Sequence, residues 1–193
     1  GNKRMNLLVS TENAAIARRI YSSIKKLYRV QSDVIVRKGK QLKKCNRYII
    51  AITYPGMARK VLVDLGILEK SKSGTMQLSN SIKEDMIKSE SAKRAYLRGA
   101  FIGGGSVSNP EKTYHMEFVC HNREFSQCLS QLINSYNLSS KIIDRKGNYV
   151  VYLKEGEQVA EVLKIIGAFS SLLKFEDIRV YKDIRDNINR LVN

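Results

Sequence analysis

The chain has no tryptophan, and its 193 residues include only two prolines, three cysteines and two histidines. Cys45, Cys120 and Cys128 are odd in number and lack any Cys-x-x-Cys spacing, which argues against both a disulfide framework and a zinc site. They are read as reduced thiols. No apolar run approaches the ~20 residues that a membrane-spanning helix needs, and the opening GNKRMNLLVS has no signal-peptide core. Acidic residues are scarce as well, 18 against 34 Lys+Arg, for a formal net charge of +16. That excess is far beyond what folding requires and points to a polyanionic partner. With 43% apolar residues the chain still has enough to bury a core, as one domain or two small ones.

The charge is unevenly placed. Residues 1–95 hold 21 Lys+Arg and 7 Asp+Glu, net +14, whereas residues 96–193 hold 13 and 11, net +2. Six cations, Arg37, Lys38, Lys40, Lys43, Lys44 and Arg47, fall in the single stretch RKGKQLKKCNR.

Self-similarity organises the rest. Met5, Leu7 and Val9 alternate as in a strand, and STEN then caps a helix carrying Ile16, Ile20, Ile24 and Leu27. Tyr114, Met116 and Phe118 alternate in the same way, and CHNR leads into a helix carrying Phe125, Leu129, Leu132, Ile133 and Tyr136. A strand and charged turn follow in each half, VIVRKG at 34–39 and IIDRKG at 142–147, then an apolar strand, YIIAI at 48–52 and YVVYL at 149–153. Each half closes with a short helix ending in glycine, at 56–66 and 156–167. The expected fold class is therefore α/β of the α+β kind, two copies of one β-α-β-β-α unit. The first turn is extended by KQLKK, where the basic cluster lies. The expected divisions are a first repeat over 1–68 and a polar linker over 69–91 with a short helix near 82–87. A second repeat over 92–174 and a final amphipathic helix over 175–193 follow, the latter with Ile178, Tyr181, Ile184, Ile188 and Leu191 at helical spacing.

The stretch YLRGAFIGGGSVS at 96–108 places three glycines after a helix. A phosphate-cradling loop needs a strand before its glycines and a helix after them, so this is a poor nucleotide loop. From Ala92 to Ile102 only Lys93, Arg94 and Arg98 are polar, which predicts a largely buried helix. Gly99 and Gly103 lie one turn apart. Because glycine costs about 0.5–1 kcal/mol in a helix interior, they are read as helix-packing positions approached closely by another backbone, with Gly104 and Gly105 ending the helix.

LRGAFIGGG at 97–105 resembles the LAGLIDADG helix of homing endonucleases, in which two such helices pack at the centre of a pair of α/β repeats. RGAFIGGGSVSNPEKTYHMEF, VSTENAAIARRIY and INRLVN resemble more closely the WhiA family of bacterial sporulation and cell-division regulators, over essentially the whole chain. The resemblance implies a saddle of two repeats around central packed helices and a cytoplasmic, nucleoid-associated protein. Two departures matter. Gly104 stands where the endonucleases carry their metal-binding second aspartate, and Ile102 where they carry the first, so no divalent cation is expected between the helix ends and no catalysis. Further, no LRGAF-like helix precedes Met5 and the chain opens GNKRM without an initiator Met, so an upstream segment and a downstream helix-turn-helix domain are expected to belong with these residues.

Residues 37–47 are the main candidate for function: on the exposed face and tip of a hairpin, their cations would bind phosphates of duplex DNA with strong salt dependence and little sequence choice. Charge runs are more often merely solvated, but here the concentration of net charge in one half favours nucleic acid. Arg145 and Lys146 form the matching, weaker turn. His115, Cys120 and His121 lie close in sequence without four-ligand spacing, so neither a metal nor any cofactor is expected. Tyr21, Tyr28, Tyr48 and Tyr54 sit at apolar-periodic positions and are read as core. The leading reading is a non-catalytic DNA-associated domain of a transcription regulator. The alternatives are a metal-dependent homing endonuclease, separated by the residue at 104, and a protein-interaction scaffold whose basic hairpin meets an acidic protein partner.

Overall fold

The computed structural model describes residues 5–38, 46–71 and 73–192. They divide into two compact units, Gly1–Ser79 and Asn80–Asn193.

The first unit opens with strand β1 (Leu7–Thr11), whose alternate residues Leu7 and Val9 turn inward. Helix α1 (Ala14–Tyr28) begins where the Asn13 side chain accepts hydrogen bonds from the backbone N–H of Ala15 at 2.8 Å and Ile16 at 3.2 Å, satisfying two otherwise orphaned donors. It ends at Arg29, in the left-handed region at φ 53°, with Lys25 and Lys26 placed favourably in the negative last turn. Strands β2 (Asp33–Arg37) and β3 (Arg47–Ile52) form a hairpin, β1 pairs with the other side of β3, and the antiparallel order is β1-β3-β2. Helix α2 (Pro55–Asp64) carries Pro55 at its start, where a missing N–H costs nothing. The small core joins Ala17, Ile24, Ile50, Ile52, Ala58 and Val61. Tyr21, Tyr28 and Tyr48 pack against it, as their apolar spacing predicts, whereas Tyr54 and Leu27 are exposed at 70% and 72%. Leu27 belongs to the helical pattern but lies outside this core.

The stretch following α2 is more ordered than its polar composition suggests. Strands β4 (Leu68–Lys70) and β5 (Met76–Leu78) pair as a short hairpin, and a 3-10 turn covers Glu84–Ile87. With Leu68 as its one buried apolar residue, the hairpin has too little hydrophobic alternation to be read from sequence.

The second unit repeats the first. Helix α3 (Glu90–Gly104) starts at Ser89, whose Oγ accepts from Ala92 N–H at 3.2 Å. Strand β6 (Gly105–Val107) adds an edge to β7 (Met116–Cys120), and helix α4 (Arg123–Asn134) follows. Asn122 caps α4 through Glu124 and Phe125 as Asn13 caps α1, at the same place in the repeat. Strands β8 (Lys141–Arg145) and β9 (Asn148–Leu153) complete an antiparallel sheet in the order β6-β7-β9-β8. Their two-residue turn places Lys146 at φ 54° and Gly147 at φ 77°, the geometry that matches strand twist. Helix α5 (Gly156–Ile165) ends at Gly167 (φ 73°) as α2 ends at Gly66 (φ 69°), each with paired C-terminal hydrogen bonds back to the last turn. Helix α6 (Phe169–Val192) follows. Its Phe175 ring meets that of Tyr114 at 5.6 Å, and Lys182 lies over the Tyr114 ring and donates to the Pro110 carbonyl at 3.1 Å. The core of this unit is larger, running through Leu97, Met116, Phe118, Leu129, Ile133, Val151, Val159 and Val162.

Candidate nucleic-acid interface

Each of the two larger sheets turns alternate residues toward its helices and the others to the opposite face. In the second unit Met116, Phe118 and Cys120 turn into the core, so Glu117 and Val119 take the opposite, open face. Register puts Ser106 and Tyr152 beside Glu117. Arg145 donates from Nη1 and Nη2 to the two Glu117 oxygens at 3.3 and 3.4 Å, and His115 Nε2 lies 3.2 Å from Oε2. Burial would raise the Glu117 pKa, but the His115 hydrogen bond and the Arg145 charge outweigh it and hold the carboxyl below its usual range. The His115 ring lies 5.8 Å from that of Tyr152, over which Lys154 also sits at 5.2 Å. Arg145, singled out from its turn, is thus already occupied by a carboxylate, while Lys146 stands exposed in the turn.

The open face of the first unit is built differently. Leu7 and Ile50 face the helices, so Leu8, Ile35, Arg37, Arg47 and Ile49 face away. Arg37 and Arg47 are directly opposed across the hairpin, an arrangement of like charges that is unfavourable unless an anion is supplied. The carboxylate that approaches is Glu12, at 3.9 Å from Arg47 and as exposed as its partner, an interaction of little strength. By the repeat, Leu8 occupies the place of Glu117, so the first unit lacks the carboxylate that neutralises Arg145 in the second. Lys38 follows Arg37 and is exposed. Lys40, Lys43 and Lys44 lie outside the described residues. Sequence reasoning missed Glu117 and weighed His115 only as a metal ligand, although strict alternation with buried Met116 and Phe118 was the available signal.

Helix α3 departs from expectation. It is mostly exposed, with Leu97 its one buried residue, since the sheet covers only one side. Gly103 lies within it, and it ends at Gly104 with Gly105 as the cap. No other atom lies within 4 Å of where a Cβ on Gly99 or Gly103 would stand, so among the described residues no helix packs there. Gly99 instead borders an apolar depression of about 490 Å³ with Met86, Ala92, Ala95, Tyr96, Ala100 and Phe125. The close approaches are at Gly104, where a Cβ would meet the Val119 carbonyl oxygen at 2.7 Å, and at Gly105, where it would run into Phe101. A side chain at 104 would have to displace the β7 backbone, and Ile102 next to it is an exposed hydrocarbon. These residues do not fit a divalent cation, which needs oxygen ligands. Among the described residues no three His, Cys, Asp or Glu are grouped to hold a metal. His121 Nδ1 is 2.7 Å from Asn148 Oδ1, and Cys120 is buried with its thiol pKa pushed up by that burial.

No helix among the described residues is long and apolar enough to cross a membrane. The chain is 51% identical over its full length to the probable cell division protein WhiA of Alkaliphilus metalliredigens, and it spans 61% of that relative. Among solved structures it is similar to full-length DUF199/WhiA from Thermotoga maritima, with a TM-score of 0.66 at 20% identity over 99% of this chain and 59% of that one. It shares its fold with the homing endonuclease I-DmoI, solved in complex with DNA and Ca, at a TM-score of 0.55 and 10% identity over 83% of this chain and 74% of that one. Residues 1–68 match the WhiA N-terminal LAGLIDADG-like domain and residues 93–185 the WhiA LAGLIDADG-like domain, and with these matches over most of its length the chain belongs to the WhiA family.

Proposed function

We propose that this chain is the non-catalytic, DNA-associated part of a WhiA-type transcription regulator of sporulation and cell division, acting in the cytoplasm at the nucleoid. The first unit contacts phosphates of duplex DNA through Arg37, Lys38 and Arg47 and through Lys40, Lys43 and Lys44 of the same hairpin. Binding is weak and largely indifferent to sequence, and a helix-turn-helix domain of the whole protein supplies recognition. The observation that carries this reading is the opposed pair Arg37 and Arg47, whose one ion pair among the described residues is the loose contact with Glu12, in the half of the chain that bears net +14. A duplex phosphate is the anion that such a pair lacks. The DNA complex of I-DmoI, a protein of the same fold, supports the reading. Phosphodiester hydrolysis is disfavoured because position 104 has no room for a carboxylate. Leu8, 62% exposed, and Ile35, 43% exposed, on the same face favour a second reading, a surface for a protein partner.

The test is binding to two unrelated duplexes across a salt series. Reversing Lys40, Lys43 and Lys44 to Glu is expected to weaken both complexes equally and to flatten the salt slope by about one unit for each phosphate that is no longer neutralised. Unchanged affinity would remove this hairpin from the interface. Supercoiled plasmid is expected to stay intact with magnesium or manganese, and nicking that follows the protein through purification would refute the non-catalytic assignment.

A further inference from the structure

We infer that β2 is a self-complementary edge through which two copies of this chain pair, antiparallel, about a two-fold axis at Ile35. Among the described residues β2 hydrogen-bonds to β3 on one side alone, so its other row of N–H and C=O groups is open. The strand reads DVIVR, and every residue in it is exposed: Val34 at 51%, Ile35 at 43% and Val36 at 52%. Three consecutive β-branched residues on an uncovered edge form a strong template for another strand, and natural edges usually carry a charge, a proline or a bulge to prevent it. None of these interrupts Val34–Val36.

The ends of the strand identify the occupant. Antiparallel pairing centred on Ile35 sets Asp33 opposite Arg37 of the second copy, Val34 opposite Val36, and Arg37 opposite Asp33. Both charge pairs are attractive, both valine pairs are apolar, and neither Asp33 nor Arg37 makes an ion pair among the described residues. The equivalent edge of the second unit, β8, provides an internal control. It reads KIIDR, and the same pairing about Ile143 would set Lys141 against Arg145 at both ends and Ile142 against Asp144. Arg145 is moreover engaged by Glu117. One repeat thus has an edge built to accept its own copy, and the other has an edge built to refuse it.

Pairing about this axis joins the two sheets in the order β1-β3-β2-β2-β3-β1 and keeps both open faces on the same side, so Arg37 and Arg47 of each copy share one surface. An interface this small is of the transient kind, and the charge of +16 on each copy opposes it. Screening relieves that repulsion, so added salt strengthens the dimer while it weakens any complex with DNA. This inference does not depend on the DNA reading, because the two respond to salt with opposite sign.

Sedimentation velocity of the chain over a concentration series, at low and at moderate salt, tests it. The wild-type chain is expected to show reversible dimerisation that increases with salt. Asp33→Arg and Arg37→Asp, each placing like charges opposite one another twice, are expected to weaken the dimer about tenfold or more, and the double swap to restore it. These residues are exposed, and circular dichroism confirms that the variants fold. A wild-type chain that stays monomeric at every concentration and salt, or single variants that dimerise as the wild type does, would overturn the inference, as would a double swap no better than either single.

Discussion

The two repeats share one backbone plan and use it for different ends. The core of the second gathers 17 buried apolar residues among those described, and its open face is a layer in which Glu117, His115 and Arg145 satisfy one another. The core of the first gathers six, and its open face leaves Arg37 against Arg47 with exposed Leu8 and Ile35 beside them. Duplicating the unit therefore did not duplicate the surface. One substitution at equivalent positions, carboxylate in one repeat and leucine in the other, decides whether the arginine of the charged turn is occupied or available. The second repeat has the larger core, and the first the less neutralised surface.

The largest expected effect falls on the larger core. Phe118→Ala removes a ring that is 1% exposed and meets Phe101 edge-on at 5.8 Å, and it should cost about 3–5 kcal/mol in denaturant unfolding. A cost no greater than that of a surface truncation would mean that the second repeat is not the stabilising one. A smaller effect separates two glycines of α3. Gly104→Ala forces a methyl against the Val119 carbonyl and should destabilise by about 1–3 kcal/mol, whereas Gly99→Ala enters open space and should stabilise by about 0.5–1 kcal/mol. If Gly99→Ala is destabilising, something packs on that strip in solution. The smallest effect sharpens the contrast of the open faces. Glu117→Gln should release Arg145, make the second face more like the first, and raise the DNA salt slope by about one unit.

The same variant carries a pH signature. The folded-state pKa of Glu117 lies below its ordinary value of 4.5, so its contribution to stability is complete above that value and is lost as pH falls through the depressed one. Acid unfolding of Glu117→Gln should therefore lack that component, and identical acid profiles for variant and wild type would show that the carboxylate is not held as described.

Much of this was legible from the residues alone. Asn13 and Asn122 announce two equivalent helix starts, Gly66 and Gly167 two equivalent ends, and period-two alternation marks β1 and β7, because capping and pleat periodicity are local physics. The hairpin of β4 and β5 was not legible, since its strands bury almost nothing. The exposure of α3 was misread for the opposite reason: an apolar composition states what a helix could bury, but whether anything covers it depends on the rest of the fold.

Composition and repetition by themselves determined the class of fold, the uneven charge and the basic hairpin, because each depends on residue identity and near-neighbour spacing. The tertiary structure alone decided which cations are free. Arg145 is 28 residues from Glu117 in sequence yet is bound to it across the sheet, and Arg37 meets Arg47 only through strand register. It also decided that Gly104 is crowded and Gly99 is not, since the crowding at Gly104 comes from the backbone of β7, a strand brought against α3 by packing and not by any signal near the glycine itself.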